Sequence, residues 1–147
     1  MKIRIAIITA LETHKVRHPV LRKGRPLASC AMDGDNKKST VHWGAYLEHT
    51  LVGVVSLLST PEHLDTQPNC KQIRGMAVLK NYRNKGIGKA LILCLENHAQ
   101  KTTTAYLWMN ARKRSIAFYE DLGYCKKGSF FEIEPIGTHG YLYKFLN

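Results

Sequence analysis

The stretch Tyr82-Arg83-Asn84-Lys85-Gly86-Ile87-Gly88-Lys89-Ala90 sets two glycines and three cations between an extended apolar run and an amphipathic one. That order of residue types suits the capture of a phosphate. Glycines leave room for backbone N–H groups to approach a bulky anion, and the unpaired amides at a helix start point the same way. One charge near a helix terminus contributes only about 0.3–1 kcal/mol, so a diphosphate needs several amides together with Arg83, Lys85 and Lys89. Two other phosphate loops fail on position. A Walker loop requires glycine where Arg83 stands and a hydroxyl residue where Ala90 stands, and the dinucleotide fingerprint requires a third glycine where Leu91 stands. The competing reading is a turn whose glycines merely let a strand and a helix pack closely.

Other chemistry-bearing side chains are less decisive. His14 and His18 are one helical turn apart, a spacing that metals use, yet the sequence places no third ligand and the pair reads as solvated. Arg74 has a guanidinium suited either to a substrate carboxylate or to an ion pair inside the sheet. Ile116, Tyr119 and Leu122 follow helical spacing, which on its own makes Tyr119 a core or boundary residue. Trp43, Trp108 and Phe118 read as core rather than as a stacking platform for nucleic acid.

The elements that must position these groups can be traced along the chain. Ile3, Ile5 and Ile7 alternate with Lys2, Arg4 and Ala6 as in a strand, and Leu11 to Leu21 suits a helix with Pro19 near its end. A polar loop with Gly24, Pro26 and Gly34 follows. Thr40 to Leu47 and Leu51 to Leu58 are β-rich runs joined by Glu48, His49 and Thr50, the length of a hairpin. Pro61 to Gln67 is expected to be loop and Lys71 to Leu79 extended, after which Ile87, Ala90, Leu91, Cys94 and Leu95 mark one helical face. Ala105 to Met109 predicts a buried strand and Arg112 to Leu122 a second helix capped by Gly123. Tyr124 to Ile133 and Tyr141 to Leu146 complete the strands, with a Pro-Gly loop between them. The strands flanking the helix from Gly86 are expected to be parallel neighbours, because a helical crossover joins them.

The whole chain has the composition of one globular domain, residues 1–147, with 44% hydrophobic and 22% charged residues. Its length suffices to bury about two thirds of the unfolded surface without a metal or disulfide staple. No apolar tract is long enough to span a bilayer as a helix. Lys2 and Arg4 ahead of Ile5 to Leu11 mimic a signal peptide, but Glu12, His14 and Lys15 interrupt the apolar run. Cys30, Cys70, Cys94 and Cys125 lie far apart without a C-x-x-C pair, so reduced thiols and a cytoplasmic setting are expected. The formal charge of +11 favours polyanions, whether nucleic acid, acidic protein or a phosphorylated cofactor, and charge does not choose among them.

Arg83, Gly86 and Gly88 resemble the R/Q-x-x-G-x-G/A signature of the GNAT superfamily of acyl-CoA-dependent N-acetyltransferases. Asn110-Ala111 followed by Ala117-Phe118-Tyr119-Glu120-Asp121-Leu122-Gly123-Tyr124 resembles the family's next strand and helix, in the correct order and spacing. A bacterial subgroup with an R-x-x-V-L-R helix, a D-G-D loop and a late G-x-H is similar at Arg17–Arg22, Asp33–Asp35 and Gly137–His139. The resemblance implies an α/β (α+β) fold. Its sheet would be mixed, mostly antiparallel and twisted, with six to seven strands, helices on both faces and a parallel splayed central strand pair.

By the same resemblance, acetyl-CoA is the donor, held by Arg83, Asn84, Lys85, Gly86, Ile87, Gly88 and Lys89 at the pyrophosphate and by Met76, Ala77 and Val78 along the pantetheine arm. Asn110 stands where the family places an amide contact to the cofactor, while capping the following helix is an equally physical role. A lysine-like amine costs about 4 kcal/mol to deprotonate near pH 7, so a base is needed, and the departing thiolate gains from a proton donor. Tyr119 resembles the family's proton donor. Gln72 and Arg74 occupy the strand where many members carry a glutamate base, and His139 is the candidate base instead, from histidine's titration range and the G-x-H resemblance. The expected acceptor is an amine of a small molecule or protein, acetylated directly, by a monomer or homodimer. A non-catalytic acyl-CoA sensor or a basic nucleic-acid-binding module is the alternative.

Overall fold

The computed structural model describes residues 2–64 and 67–146. Two positions of the expected Pro61 to Gln67 loop, residues 65 and 66, lie outside the described residues; Glu62–Leu64 form a 3-10 turn. Among the described residues there are seven strands and three α-helices: β1 (Ile3–Ile8), α1 (Ala10–Leu21), β2 (Val41–Leu47), β3 (Thr50–Ser59), β4 (Cys70–Val78), α2 (Ile87–Lys101), β5 (Tyr106–Arg112), α3 (Ile116–Asp121), β6 (Cys125–Ile133) and β7 (Gly137–Phe145). The sheet order is β1-β2-β3-β4-β5-β7-β6. The ladders β1–β2, β2–β3, β5–β7 and β6–β7 are antiparallel, and β4–β5 is parallel, as a helical crossover requires.

The chain clusters into two compact units, Met1–Ser59 with Ile73–His98, and Thr60–Gln72 with Ala99–Asn147. In the first unit, α1 begins at a capping box in which Thr9 accepts from the Glu12 N–H and the Glu12 carboxylate accepts from the Thr9 N–H. Pro19 lies inside its last turn. Ile8, Val16, Val54 and Ala77 form a core, with Val20, Leu21, Tyr46, Leu51 and Leu79 packed against it. The β2–β3 hairpin turns through Glu48 and His49, with Glu48 at a φ of 55°. The four-residue spacing of Ile87, Leu91 and Leu95 buries one stripe of α2, as the sequence predicts.

In the second unit, Cys70–Gln72 pair with Tyr106–Trp108, and β4 runs six residues beyond the last of these pairs. Aromatic side chains of β5 and β7 stack on one another: Trp108 on Tyr141 with ring centres 5.6 Å apart, and Tyr106 on Tyr143 at 5.8 Å. Trp108 Nε1 donates to Thr60 Oγ1 over 2.9 Å.

Three sequence expectations need correction. The second helix does not start at Arg112, because β5 continues to that residue and Lys113–Ser115 form a 3-10 turn before α3. The last strand starts at Gly137 rather than Tyr141, since Gly137 to Ile133 and Thr138 to Glu132 already pair across the β6–β7 hairpin. Phe118 is not core. Two turns of helix bury Ile116 and Tyr119, and the intervening Phe118 is 37% exposed on the opposite side.

Candidate functional site

The glycine turn belongs to the first unit. After β4, a 3-10 turn at Lys80–Tyr82 leads into Arg83, whose Nε donates back to the Val78 carbonyl over 3.1 Å. This bond ties the turn to the end of the strand that carries Met76, Ala77 and Val78. Asn84 and Gly86 both adopt left-handed backbone conformations, with φ of 61° and 82°. Asparagine tolerates that region and glycine enters it without steric penalty. Gly86 then accepts the first α2 bond, from the Ala90 N–H over 3.0 Å. The amides of Ile87, Gly88 and Lys89 precede that bond, where a helix has no internal acceptors for its N–H groups.

Arg83, Asn84, Lys85, Gly86 and Lys89 are exposed, and an added Cβ at Gly86 meets nothing within 4 Å. Gly86 is therefore required for its backbone conformation and not for packing. The turn is open, cationic and rich in amides, as a diphosphate demands.

Behind β4 lies a buried ionic cluster. Arg17 donates to Asp35 through both guanidinium nitrogens, at 2.6 and 3.2 Å, and also to Ser56 Oγ and the Cys30 carbonyl. Arg74 Nη2 donates to Asp35 Oδ1 at 3.1 Å and to the Asp33 carbonyl at 2.5 Å. Of its two sequence readings, Arg74 thus follows the internal ion pair. His42 bonds Ser56 Oγ and the Asp35 carbonyl, closing the network. Gly75 makes it possible: its φ is 68°, and a Cβ there would stand 3.2 Å from Arg17 Nε and Nη2. Burial alone would raise the Asp35 carboxyl. Hydrogen bonds from Arg17 and the Met32 N–H, with the charges of Arg17 and Arg74, overcome this and hold it below the ordinary value of 3.8.

Asn110, Tyr119 and His139 belong to the second unit. Asn110 is an exposed strand residue of β5 opposite Tyr141, and the residue at the N-cap of α3 is Ser115, so helix capping is not its role. Tyr119 is 5% exposed, flanked edge-to-face by Phe118 and Tyr124 at 5.0 and 5.8 Å. Desolvation raises its phenol pKa well above 10, which keeps the hydroxyl protonated at neutral pH. Below it, the helix closes with the Leu122 and Tyr124 N–H groups donating to the Tyr119 carbonyl, and Lys144 Nζ donates to the Leu122 carbonyl.

His139 is not on a loop. It pairs with Arg112 and with Phe131 inside the sheet and is 6% exposed, with Nδ1 bonded to the Gly137 carbonyl over 2.7 Å. That bond makes Nδ1 the donor and holds the ring's orientation. Tyr141, which the sequence reading passed over, shares a hydroxyl–hydroxyl bond of 2.9 Å with Tyr106, and burial first, then that bond, raises its phenol. Its signal was the alternation of Tyr141, Tyr143 and Phe145 opposite Tyr106 and Trp108.

Residues 9–124 match the acetyltransferase (GNAT) family, and the chain belongs to it. Its reaction class is the transfer of an acetyl group from acetyl-CoA to an amine. Across 144 residues it is 29% identical to the uncharacterized N-acetyltransferase YitI of Bacillus subtilis (strain 168), covering 98% of this chain and 97% of that one. The fold is shared with a putative N-acetyltransferase from Lactobacillus plantarum at a TM-score of 0.79 and 16% identity, with both chains covered fully. It is shared also with an aminoglycoside 6'-N-acetyltransferase complexed with coenzyme A, at a TM-score of 0.77 and 12% identity over 97% of this chain and 96% of that one.

Proposed function

We propose that residues 1–147 act as one N-acetyltransferase domain that moves the acetyl group of acetyl-CoA directly to an amine, without an acetylated protein side chain. The observation that carries this reading is the open turn at the start of α2, where left-handed Gly86 and the exposed cations Arg83, Lys85 and Lys89 surround helix-terminal amides. Asn84, Ile87 and Gly88 complete that cradle for the pyrophosphate. Met76, Ala77 and Val78 are assigned to the pantetheine arm by the family resemblance, and Asn110, which presents an exposed side chain, to the cofactor's amide.

In the transfer, the amine nitrogen bonds to the acyl carbon as the carbon–sulfur bond breaks, one proton leaves the nitrogen for a base, and the thiolate departs hydrogen-bonded and takes its proton from solvent. We assign the first proton to His139 and the hydrogen bond to the departing sulfur to Tyr119. A buried phenol with a raised pKa remains a neutral donor throughout and stabilises developing negative charge without ionising. Four cysteines that are not joined in disulfides suit a reducing compartment, the cytoplasm. The acceptor is a small-molecule or protein amine, and a monomer or homodimer suffices for this chemistry.

Thermal unfolding with acetyl-CoA, longer acyl-CoAs and dephospho-CoA tests donor binding, and free-thiol release over an amine panel tests transfer. A micromolar donor at high excess stabilises the fold by a few kcal/mol, about 4 at a thousandfold excess over Kd. Stabilisation without thiol release for any amine would identify a sensor instead.

A further inference from the structure

We propose that Arg17, Asp35 and Arg74 are positioning residues for the acetyl donor: their ionic cluster fixes a bend of β4 at Gly75 and so sets the backbone of Met76–Val78, the segment assigned to the pantetheine arm. The proposal rests on the acetyl-transfer reading and gives it a determinant of cofactor affinity outside the phosphate cradle. All of these residues lie in the first compact unit.

Successive side chains of a regular strand point to opposite faces of the sheet. Arg74 and Gly75 are successive, yet both face one cluster. Arg74 Nη2 donates to Asp35 Oδ1 at 3.1 Å, and a Cβ on Gly75 would stand 3.2 Å from Nε and Nη2 of Arg17, whose guanidinium also holds Asp35. The left-handed φ of 68° at Gly75 reconciles the two, because it turns the strand within one residue. Ile73 before the bend and Ala77 after it are both buried, so β4 returns to the core beyond it.

The rest of the cluster is anchored independently of β4. Arg17 comes from α1, is fully buried, and is bonded to Ser56 Oγ on β3 and to the Cys30 carbonyl. The loop that carries Asp35 is closed on itself: the Met32 N–H donates to Asp35 Oδ2, Thr40 Oγ1 donates to the Gly34 carbonyl, and His42 Nε2 bonds the Asp35 carbonyl. Arg74 joins β4 to this frame through Asp35 and the Asp33 carbonyl. Met76 follows Gly75 directly, and at the other end of the segment Arg83 Nε donates to the Val78 carbonyl. Met76–Val78 are thus clamped on both sides, by the ionic cluster before them and by the glycine turn after them. A binding strand held in its bound shape loses affinity when it is released.

The test uses the full chain and its Arg74→Gln, Arg74→Lys and Gly75→Ala variants. Gly75 has no side chain with which to touch a ligand, so an effect of Gly75→Ala on binding comes through the backbone. Calorimetric titration with acetyl-CoA should give a Kd raised about tenfold in Arg74→Gln and in Gly75→Ala and partly restored in Arg74→Lys, with kcat at saturating acetyl-CoA and the KM of the amine unchanged. In ¹⁵N spectra of the free variants, the amides of residues 76–78 should shift while those of 87–89 stay in place. The double variant Arg74→Gln/Gly75→Ala should lose no more affinity than either single one, since both act through one bend. A wild-type Kd in Arg74→Gln and Gly75→Ala, or additive losses in the double variant, would overturn the proposal. A fall in kcat with Kd intact overturns it too, and makes Arg74 a residue of the transfer step. If Arg74→Gln or Gly75→Ala melts below the assay temperature, Arg74→Lys, which keeps the charge, decides by the same Kd. A wild-type chain that does not bind acetyl-CoA refutes the acetyl-transfer reading instead, and the amides of 76–78 still show whether the cluster sets the bend.

Discussion

Arg17 Nη1 donates to Asp35 Oδ2 over 2.6 Å, and both side chains are sealed from solvent. Two sequence segments that resemble a bacterial subgroup of the family, the R-x-x-V-L-R helix and the D-G-D loop, are thereby one ionic unit with β4 through Arg74. Asp35→Asn leaves two guanidinium groups without their counter-ion. Removing one partner of a buried pair costs about 3–5 kcal/mol, because the remaining charge has no water to return to. The expected result is a fall in Tm of about 10 °C, read by calorimetry. A change below 2 °C would mean that the network contributes little to folding.

The same carboxylate gives the protein an acid limit. Asp35 titrates in the folded chain below its ordinary value of 3.8, so the folded state holds fewer protons than the unfolded one as pH passes through that region. Its stabilisation is complete above the unfolded value and disappears as pH falls through the folded one. Urea midpoints measured between pH 6 and pH 2 should decline from about pH 4 downward. In Asp35→Asn that portion of the slope should be missing.

At Gly86 the left-handed backbone, with φ at 82°, meets a side-chain space that is empty to 4 Å. Alanine therefore fits sterically but strains the backbone, at a cost of about 1–2 kcal/mol, while asparagine tolerates the region. Gly86→Ala should raise the KM for acetyl-CoA several-fold, and Gly86→Asn should stay closer to the wild type. Acetyl-CoA titrations of both variants decide this. Equal losses would show that the φ of Gly86 is not what organises the turn.

His139 sits inside β7 with Nδ1 tied to the Gly137 carbonyl. If its other nitrogen accepts the amine proton, His139→Ala should lose about 10²-fold or more in kcat while acetyl-CoA still stabilises the fold. A KM effect alone, with kcat intact, would assign His139 to substrate positioning.

Most of what positions the site was legible because local chemistry and global fold agree. Period-two alternation at Ile3–Ile7, the four-residue stripe of α2 and the hairpin at Glu48–His49 each report their element directly. The glycine turn was legible for the same reason: no other residue holds Gly86's conformation as cheaply, so the type betrays the geometry. What could not be read was set by partners distant in sequence. Nothing near Arg17 announces that Asp35 and Ser56 will seal it, 18 and 39 residues away. His139 was expected in a loop because Pro135 and Gly137 suggest a break, yet cross-strand pairing with Phe131 and Arg112 draws it into the sheet. Phe118 looked apolar enough for the core, and only the two-turn length of α3 decides that it faces outward.

Tyr119 allows the hydrogen-bond assignment at the sulfur to be separated from simple packing. Tyr119→Phe keeps the ring that contacts Phe118 and Tyr124 and removes the hydroxyl alone. Turnover should fall by about 10²-fold if the phenol stabilises the leaving sulfur, with acetyl-CoA stabilisation of the fold retained. The phenol also sets an alkaline limit. Its pKa is raised by burial in the folded chain, so above the ordinary value of 10 the unfolded chain ionises while the folded one does not. Stability is fully present below pH 10 and is lost as pH rises toward the folded value. The urea midpoint of the wild type should therefore drop between pH 9 and pH 11 by more than that of Tyr119→Phe. If the two midpoints move in parallel and turnover is unchanged, Tyr119 is a packing residue, and the hydrogen bond to the thiolate must come from another group.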